Sequence, residues 1–485
     1  MHHRSQQRIR PGLAGAAIAG VTMTVCCLPL PAASAKVAQT ASRAAPAVPT
    51  VRQTAPVSPN PATGTPELVP STSTVEQVRQ LVQCGGTMYA VGTFTQISQN
   101  NEKITRDNIF SFKATAPYTV HAWDPNVNGT VDTIAFAPGT CTDAYIGGKF
   151  TSVGATAAAN VAEVDTTTGA IVPGFGHNAS GEVETLAVAN GHLLAGGKFH
   201  GINNNHGANP YLASLNLVTG KDDGFVHLNI SGHYVFSGVH TNSTMVYNQQ
   251  LSHGGTLDLV EGIFTSVGGL ARQQIFMLNV GGTTAAVTGW SSPEFDGSQG
   301  NLPGGYPYQC GDSHPFYIQA ASWSPDDSVV YIADTGVRPW NRSSGFPLVG
   351  LCDAVAAFPA TKAEVLHYWI NYTGCDSLFS IAADPFAVYV GGHERWADNQ
   401  DACNKQAPNA IPAPGMGGFT PGPSGGVLLK NSSDTAGLYS RGRGRGADDE
   451  LITSAGLWIA SDNFGGTQTC GGVKGLSGIC FLPYQ

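Results

Sequence analysis

Charge is scarce in this sequence, and several short motifs that carry chemistry are missing from it. Only 12% of the 485 residues are charged, and this favours short strands and tight turns over long helices with charged faces. The net charge is −9, whereas a nucleic-acid-binding surface needs a basic stripe, so no nucleic-acid partner is expected. The sequence contains no CxxC pair, no HExxH and no phosphate-binding loop. Zinc sites and P-loop nucleotide binding are therefore not predicted.

Glycine, by contrast, is abundant, and it marks an internal repeat. An apolar strand ends in glycine and a phenylalanine follows two residues later, as in YIGGKFTSV at Tyr145–Val153. The copies are spaced by roughly 50 to 70 residues, and such self-similarity indicates a repeat architecture. The aligned column consists of Gly92, Gly148, Gly197, Gly262, Asp334, Gly392 and Ser461.

Each repeat is predicted to form one small antiparallel sheet. In the third repeat the strands are Val183–Val188, Leu193–Gly197 and Tyr211–Leu217, and Phe225 opens a weaker fourth strand. Gly- and Asn-rich turns join them, as in hairpins. A single sheet cannot bury both of its faces, but radial stacking covers each face with a neighbour and leaves only short edges. The sequence therefore predicts an all-β fold, namely a seven-bladed β-propeller of four-stranded antiparallel blades.

The repeated glycine and phenylalanine have physical roles in such an arrangement. Glycine fits where strands crowd towards the axis or where a bulge bends a strand. The phenylalanines that follow it are expected to pack between adjacent sheets, and they are Phe94, Phe150, Phe199 and Phe264.

The second repeat carries a resemblance to a known family. Its YIGGKFTSVG segment, the apolar strand NVAEVD and the turn region TTTGAIVPGF together resemble the bacterial delta-60 repeat type of β-propeller. The resemblance covers about Leu81–Trp290 and loosens in the last three repeats, where Asp334 and Ser461 replace the column glycine. It implies a secreted or surface protein of mostly undefined activity, and it supplies no catalytic residues.

The N-terminal region has the composition of an export signal followed by a spacer. Arginines precede an apolar run at residues 13–30, and Ala33-Ser34-Ala35 is a small-residue cleavage site, so residues 1–35 are predicted to be a signal peptide. A retained anchor stays an open alternative. Residues 36–65 are rich in Ala, Pro and Thr and are expected to be a flexible linker. Residues 66–485 would form the propeller, with Pro66–Val69 completing the last repeat.

The mature chain is therefore expected to be secreted, and either extracellular or associated with the cell surface. Without the signal it would contain no membrane span, and we expect a monomer. Eight cysteines remain after the predicted cleavage, and an even number in an exported chain favours disulfides over metal ligation. Sequence alone leaves the connectivity open. The favoured local pairs are Cys375–Cys403 and Cys470–Cys480. Cys84 and Cys141 precede equivalent strands of neighbouring repeats and could link them, which leaves Cys310 with Cys352.

Three long loops indicate where a ligand would bind. Loops that join second to third strands leave the same face of a propeller, and in the last three repeats they span residues 335–351, 393–424 and 462–477. Loops of this length in a compact domain are usually functional or disordered. They carry tryptophans, which can stack on a sugar ring, and polar groups that can pair with hydroxyls. The predicted ligand-binding residues are Asp334, Arg338, Trp340, His393, Glu394, Arg395, Trp396, Asp462 and Asn463.

These features favour a non-enzymatic binding or interaction module whose partner is an extracellular or cell-envelope glycan or protein. One alternative is an extracellular hydrolase or lyase in which Glu394 works with Asp334, Asp398 or Asp462. Another is a purely structural surface protein. No catalytic residue is assigned and no cofactor is expected, although Asp398, Asp401 and nearby carbonyl groups leave a Ca²⁺ site open.

Overall fold

The computed structural model describes residues 56–71, 75–203, 205–206, 209–233, 243–295, 301–302, 306–307, 317–336, 351–431, 436–439, 446–462, 469–470, 473–474 and 477–485. The predicted signal peptide and most of the predicted linker lie outside these residues. The described chain is all-β, and its one helical element is the single 3-10 turn Pro293–Phe295. Within these ranges no helix has the length and apolar character needed to cross a membrane.

Within the described ranges, seven sheets repeat one antiparallel order, in which the first strand pairs with the second and the second with the third. Sheet 1 consists of Gln77–Cys84, Thr87–Thr93 and Ile109–Lys113; sheet 2 of Thr130–Ala135, Asp143–Lys149 and Val161–Asp165; sheet 3 of Val183–Ala189, His192–Gly197 and Leu212–Asn216. Sheet 4 consists of Met245–Leu251, Leu257–Ile263, Ile275–Asn279 and Ala286–Val287; sheet 5 of Tyr317–Trp323, Val329–Thr335, Ala354–Pro359 and Trp369–Tyr372. Sheet 6 consists of Leu378–Ala383, Val388–Gly392 and Met416–Phe419; sheet 7 of Ala447–Thr453, Gly456–Ser461 and Ile479–Pro483.

A β-bulge interrupts the pairing of first and second strands in each of these sheets. In sheet 2 it lies between Val131 and Thr133, and Val131 pairs with Gly148 of the repeated column. A Cβ atom on Gly148 would overlap the carbonyl oxygen of Thr130 in the first strand. The prediction that the column glycine accommodates crowding at a bulge is therefore confirmed. The same obstruction faces Gly92, Gly197, Gly262 and Gly392, and the equivalent bulges follow Val78, Val183, Val246, Ile318, Leu378 and Ala447.

The sheets pack against one another in a cycle. The first strand of each sheet contacts the first strand of the next, and the first strand of sheet 7 contacts that of sheet 1. A separate hydrophobic core fills each space between neighbours, and Phe94 lies with Trp458 in the core that joins sheets 1 and 7. Phe150, Phe199 and Phe264 are buried in three of the other cores, which confirms their predicted packing. Cyclic packing of small antiparallel sheets with the first strands innermost defines a β-propeller.

The outer edge of the sheets differs from the prediction of four strands. Among the described residues, only sheets 4 and 5 have a fourth strand, and the other five have three. In those sheets a single bridge takes the outer position, because the chain pairs there at one residue before turning towards the next sheet. These isolated bridges are Phe112–Val120, Val164–Ile171, Leu215–Asp222, Phe419–Leu428 and Val57–Tyr484.

Short hairpins fill much of the chain between second and third strands. They pair Gln96–Gln99 with Glu102–Thr105, Ser152–Val153 with Thr156–Ala157, Gly201–Ile202 with Asn205–His206, and Ser266–Val267 with Leu270–Ala271. In the last two repeats they pair Trp396–Ala397 with Ile411–Pro412 and Thr469–Cys470 with Val473–Lys474. A further hairpin before sheet 5 pairs Asn301–Leu302 with Tyr306–Pro307, and Ile230–Ser231 adds to the hairpin of sheet 4.

The N-terminal part of the described chain packs on sheet 7, which corrects the predicted end of the flexible linker. Val57 is fully buried, and the backbone N–H of Ser58 donates to the carbonyl of Pro483 over 2.7 Å. The Ala62 N–H donates to the carbonyl of Phe481 over 2.8 Å. Residues 57–62 therefore cover the outer edge of the last sheet and have fixed hydrogen-bond partners.

The strand that was expected to close the last repeat has a different partner. Glu67–Leu68, within the predicted Pro66–Val69 segment, pairs with Gln96–Gln99 of the hairpin that follows sheet 1. The Leu68 N–H also donates to the carbonyl of Ser477, next to sheet 7. This segment therefore bridges sheets 1 and 7, while the residues before it supply the outer edge.

Disulfides join parts of the propeller as predicted. The structure contains Cys84–Cys141, Cys375–Cys403 and Cys470–Cys480. Cys84 ends the first strand of sheet 1 and Cys141 precedes the second strand of sheet 2, so their bond links neighbouring sheets. Cys352 is also disulfide-bonded, while its expected partner Cys310 lies outside the described residues.

Candidate ligand site at the propeller axis

The seven bulges aim one side chain each at a cavity on the propeller axis. Each bulge adds one residue to the first strand, and a bulge of this kind re-aims a side chain next to a functional site. All seven inserted residues line a cavity of about 560 Å³. We call them the axial ring: Arg79, Asp132, Glu184, Tyr247, Gln319, Phe379 and Asp448.

One arc of the axial ring is charged. The Arg79 guanidinium lies 2.6 Å from Oδ1 of Asp132. In the next sheet, the Lys198 ammonium lies 2.6 Å from a carboxylate oxygen of Glu184 and 2.7 Å from one of Glu182. Glu182 is two residues before Glu184 in the sequence. In this arc four carboxylates, counting Asp448 of the axial ring, face two cations. The arc therefore has an excess of negative charge at neutral pH.

Burial raises the pKa of two carboxyl groups of this arc to near neutral pH. It raises the pKa of Asp132 to about 7, against the opposing effect of Arg79. Burial likewise raises the pKa of Asp448 to about 7, although the Gln77 side chain hydrogen-bonds to it, and Asp462 nearby adds to the increase. The next residue, Asp449, has its pKa raised to about 6 by burial. Groups with such perturbed pKa values occur most often at functional sites.

The opposite arc is aromatic and amide-bearing. Tyr247, Gln319 and Phe379 lie side by side in the axial ring, and the Tyr247 hydroxyl donates to the carbonyl of Ile318. That hydrogen bond fixes the tyrosine ring against the neighbouring strand. Because one arc is charged and the other carries aromatic and amide side chains, the cavity is asymmetric although the backbone around it repeats.

The carboxylates that could hold a metal ion lie in the charged arc. Asp132, Glu182 and Glu184 each offer one oxygen, and the three oxygens lie within 4.8 Å of one another. Asp398, at which the sequence left a Ca²⁺ site open, accepts a hydrogen bond of 2.6 Å from the Asn371 amide, and Asp401 is exposed. Among the described residues, the cluster of three carboxylates therefore lies beside the axis, away from the predicted loop.

Two of the predicted ligand-binding residues are packed inside the loop of sheet 6. Both Nε and Nη2 of Arg395 donate to the carboxylate of Asp376, over 2.8 and 2.6 Å. The same guanidinium lies 4.3 Å from the ring centre of Trp396, and that ring packs against a small alanine cluster. Their neighbour Glu394 is buried. In the structure these side chains stabilise the loop.

The remaining predicted residues lie in three places. Asp334 is fully buried and accepts a hydrogen bond of 2.8 Å from the backbone N–H of Ala354. His393 packs edge-on against Phe379 of the axial ring, with ring centres 4.8 Å apart, and Asp462 lies beside Asp448. The structure thus brings His393 and Asp462 next to the axial cavity. Arg338, Trp340 and Asn463 lie outside the described residues.

The axial ring was missed at the sequence level because no single residue type recurs through its seven members, of which only Asp132 and Asp448 are alike. Its signal is positional, since each member directly follows the apolar residue that pairs with the column, as Asp132 follows Val131. Alignment on the first strands would have placed all seven in one column. A β-propeller with an asymmetric polar cavity on its axis is the class that fold and site define.

Comparisons with known proteins add little to this class. No family model matches the sequence, and a search of curated proteins found no match. Similar solved structures include Saccharomyces cerevisiae Sqt1, at 8% identity and a TM-score of 0.44, covering 86% of this chain and 98% of that one. A putative 6-phosphogluconolactonase from Bacteroides fragilis has 13% identity and a TM-score of 0.42 over 81% and 90%. The WD40 β-propeller domain of Doa1 has 10% identity and a TM-score of 0.38 over 82% and 94%.

Proposed function

We propose that this protein is a secreted, seven-bladed β-propeller of the delta-60 repeat type, and that it binds an extracellular or cell-envelope glycan through its axial cavity. The observation that carries the proposal is the axial ring. Seven structurally equivalent positions hold six different residue types, and a merely structural channel would not require that difference.

The chemistry of the ring suits a sugar. A sugar needs a flat apolar group against its ring face and hydrogen-bonding groups for its hydroxyls, and binding pockets combine a few convergent polar groups with apolar walls. Phe379 and Tyr247 supply the aromatic wall, and Gln319 supplies an amide beside them. Glu184 and Asp448 supply acceptors on the other side. A cavity of about 560 Å³ lies within the usual size of small-ligand sites.

Export is supported by two independent features. The predicted signal peptide precedes a chain in which Cys84–Cys141, Cys375–Cys403 and Cys470–Cys480 are bonded. Disulfides persist in oxidising compartments and are rare in the cytosol. These features agree with a partner outside the cell.

The hydrolase alternative receives no support from its predicted carboxylates. Glu394 and Asp334 are both buried, and Asp334 already accepts a backbone hydrogen bond. A glycosidase needs two carboxyl groups that flank the scissile bond of a bound sugar. We therefore favour binding over hydrolysis.

A glycan array and calorimetric titration of the best ligand test the proposal. Phe379→Ala and Gln319→Ala should each weaken binding roughly 10-fold or more, as expected for anchor residues at the centre of a site. Glu102→Gln, at an exposed position of the hairpin that follows the second strand of sheet 1, is the matched control and should bind like the wild type. Thermal unfolding of each variant separates lost binding from lost fold.

Two outcomes would contradict the proposal. One is an array and a cell-envelope pull-down that both yield no ligand, which would favour the purely structural alternative. The other is a ligand whose affinity is the same for wild type, Phe379→Ala and Gln319→Ala, which would place binding elsewhere on the protein.

A further inference from the structure

The charged arc combines carboxylates from two neighbouring sheets. Asp132 is the inserted residue of the bulge in sheet 2 and Glu184 that of the bulge in sheet 3, while Glu182 directly precedes the first strand of sheet 3. One oxygen of each lies within 4.8 Å of the other two. The cluster therefore lies where the first strands of sheets 2 and 3 contact each other.

Asp132 provides a second, independent observation. The residue is 7% exposed, and its Oδ1 is occupied by Arg79. Its Oδ2 is buried and has no hydrogen-bond partner among the described residues. A buried polar atom without a partner is costly, and nearly all such atoms in proteins are satisfied. Because Asp132 belongs to the same cluster as Glu182 and Glu184, a cation bound there would give its buried carboxylate a further partner.

Lys198 shows that a positive charge is already favoured at this place. Its ammonium lies 2.7 Å from Oε2 of Glu182 and 2.6 Å from Oε1 of Glu184. The lysine side chain is 43% exposed, so its ammonium has access to solvent. An ion pair of this kind at a partly exposed position contributes little net stability, and a doubly charged ion would compete with it.

We propose that Asp132, Glu182 and Glu184 bind a divalent cation of the calcium type, in competition with the ammonium of Lys198. An all-carboxylate set selects a hard cation, and Ca²⁺ accepts oxygens at about 2.3–2.6 Å from the metal. Two oxygens on opposite sides of such an ion are roughly 5 Å apart by that geometry, and the three oxygens here all lie within 4.8 Å of one another. The open side of the ion would face the axial cavity, where water or a ligand hydroxyl completes its coordination.

Calorimetric titration of the full secreted chain with Ca²⁺, after chelator treatment and without any glycan, tests the proposal. Wild type should bind Ca²⁺ in the range of extracellular modules, about 0.1–1 mM. Glu184→Gln and Asp132→Asn should each weaken binding roughly 10-fold or more, because each removes a charged ligand. Lys198→Ala should tighten it by a similar factor, since it removes the competing charge. Glu102→Gln, which changes an exposed acid outside the lining of the axial cavity, should leave the Ca²⁺ affinity unchanged.

The lysine variant keeps the test decisive. A variant that folds poorly loses affinity, whereas Lys198→Ala is expected to gain it, and thermal unfolding with and without Ca²⁺ reports folding separately. Absence of binding up to about 10 mM Ca²⁺ in both wild type and Lys198→Ala, well above that range, would overturn the proposal. Equal affinity of wild type and Glu184→Gln would also overturn it. Because no glycan is present, cation binding and glycan binding can fail independently.

Discussion

Glu261 is predicted to make the protein less stable as the pH rises from about 5 to 8. It lies in the second strand of sheet 4, one residue before the column glycine, and it is fully buried. The amide of Asn248 donates to its Oε2 over 3.2 Å. Burial is the main cause that raises its pKa from 4.5 to about 8.

The sign and size follow from proton binding in the two states. Between pH 4.5 and about 8, the folded protein holds a proton on Glu261 that the unfolded chain has lost. The free energy of unfolding therefore falls by about 1.4 kcal/mol for each pH unit in this window. The stability contributed by Glu261 is complete below the unfolded pKa of 4.5. By the folded pKa of about 8, about 4–5 kcal/mol of that stability has been lost. Above the folded pKa the effect levels off.

Glu261→Gln should remove this dependence, because a glutamine fills the same space and never ionises. Urea unfolding of both proteins at pH 5, 6, 7 and 8, followed by tryptophan fluorescence, measures the difference. As the pH rises, the free energy of unfolding of the variant should increase relative to that of the wild type by about 1.4 kcal/mol per pH unit. Asp258, on the same strand, is also buried with a raised pKa, so some slope remains in both proteins. Glu102→Gln is the exposed control, and parallel curves for wild type and Glu261→Gln would refute the reasoning.

Two further predictions concern the frame of the propeller. A chain that begins at Val75 loses the residues that cover sheet 7 and bridge it to sheet 1. Its melting temperature should therefore fall by several degrees or more. An unchanged melting temperature in calorimetry would contradict the observed contacts. Gly148→Ala should destabilise the fold by about 2 kcal/mol or more, because the new methyl group would overlap a first-strand carbonyl. Gly86→Ala is its control, since a Cβ atom there meets no atom within 4 Å, and equal urea midpoints for the two variants would contradict the role of the column.

The repeat made most of the fold predictable from the sequence. Each copy of the strand, glycine and phenylalanine pattern supports the others, so the predicted Val183–Val188 differs from the observed Val183–Ala189 by one residue. The outer strands were less predictable, because a position that pairs at a single residue, such as Val164 with Ile171, leaves little alternation in the sequence. The role of residues 57–62 was also hidden, since a proline-rich composition indicates a spacer and says nothing of a buried Val57.

The candidate site was harder to predict than the fold, for a physical reason. Loop length and residue type suggested Arg395 and Trp396, but a charged side chain in a long loop can be used to order that loop. Here Arg395 pairs with Asp376, 19 residues earlier, and no local pattern indicates that pairing. The axial ring depends on a bulge, and a bulge shifts the alternation of a strand by one residue. A reader of the sequence would therefore assign the inserted residues to the wrong face.

The bulge also separates stability from function within each sheet. At five of the seven column positions a glycine such as Gly148 lets the second strand approach the first, while Asp334 and Ser461 take the other two. The residue inserted opposite, such as Asp132, contributes its side chain to the cavity and is free to differ from sheet to sheet. Substitutions in the column should therefore act mainly on unfolding, and substitutions in the axial ring mainly on binding. One backbone solution repeated around the axis thus gives seven positions at which a ligand site can be varied without rebuilding the fold.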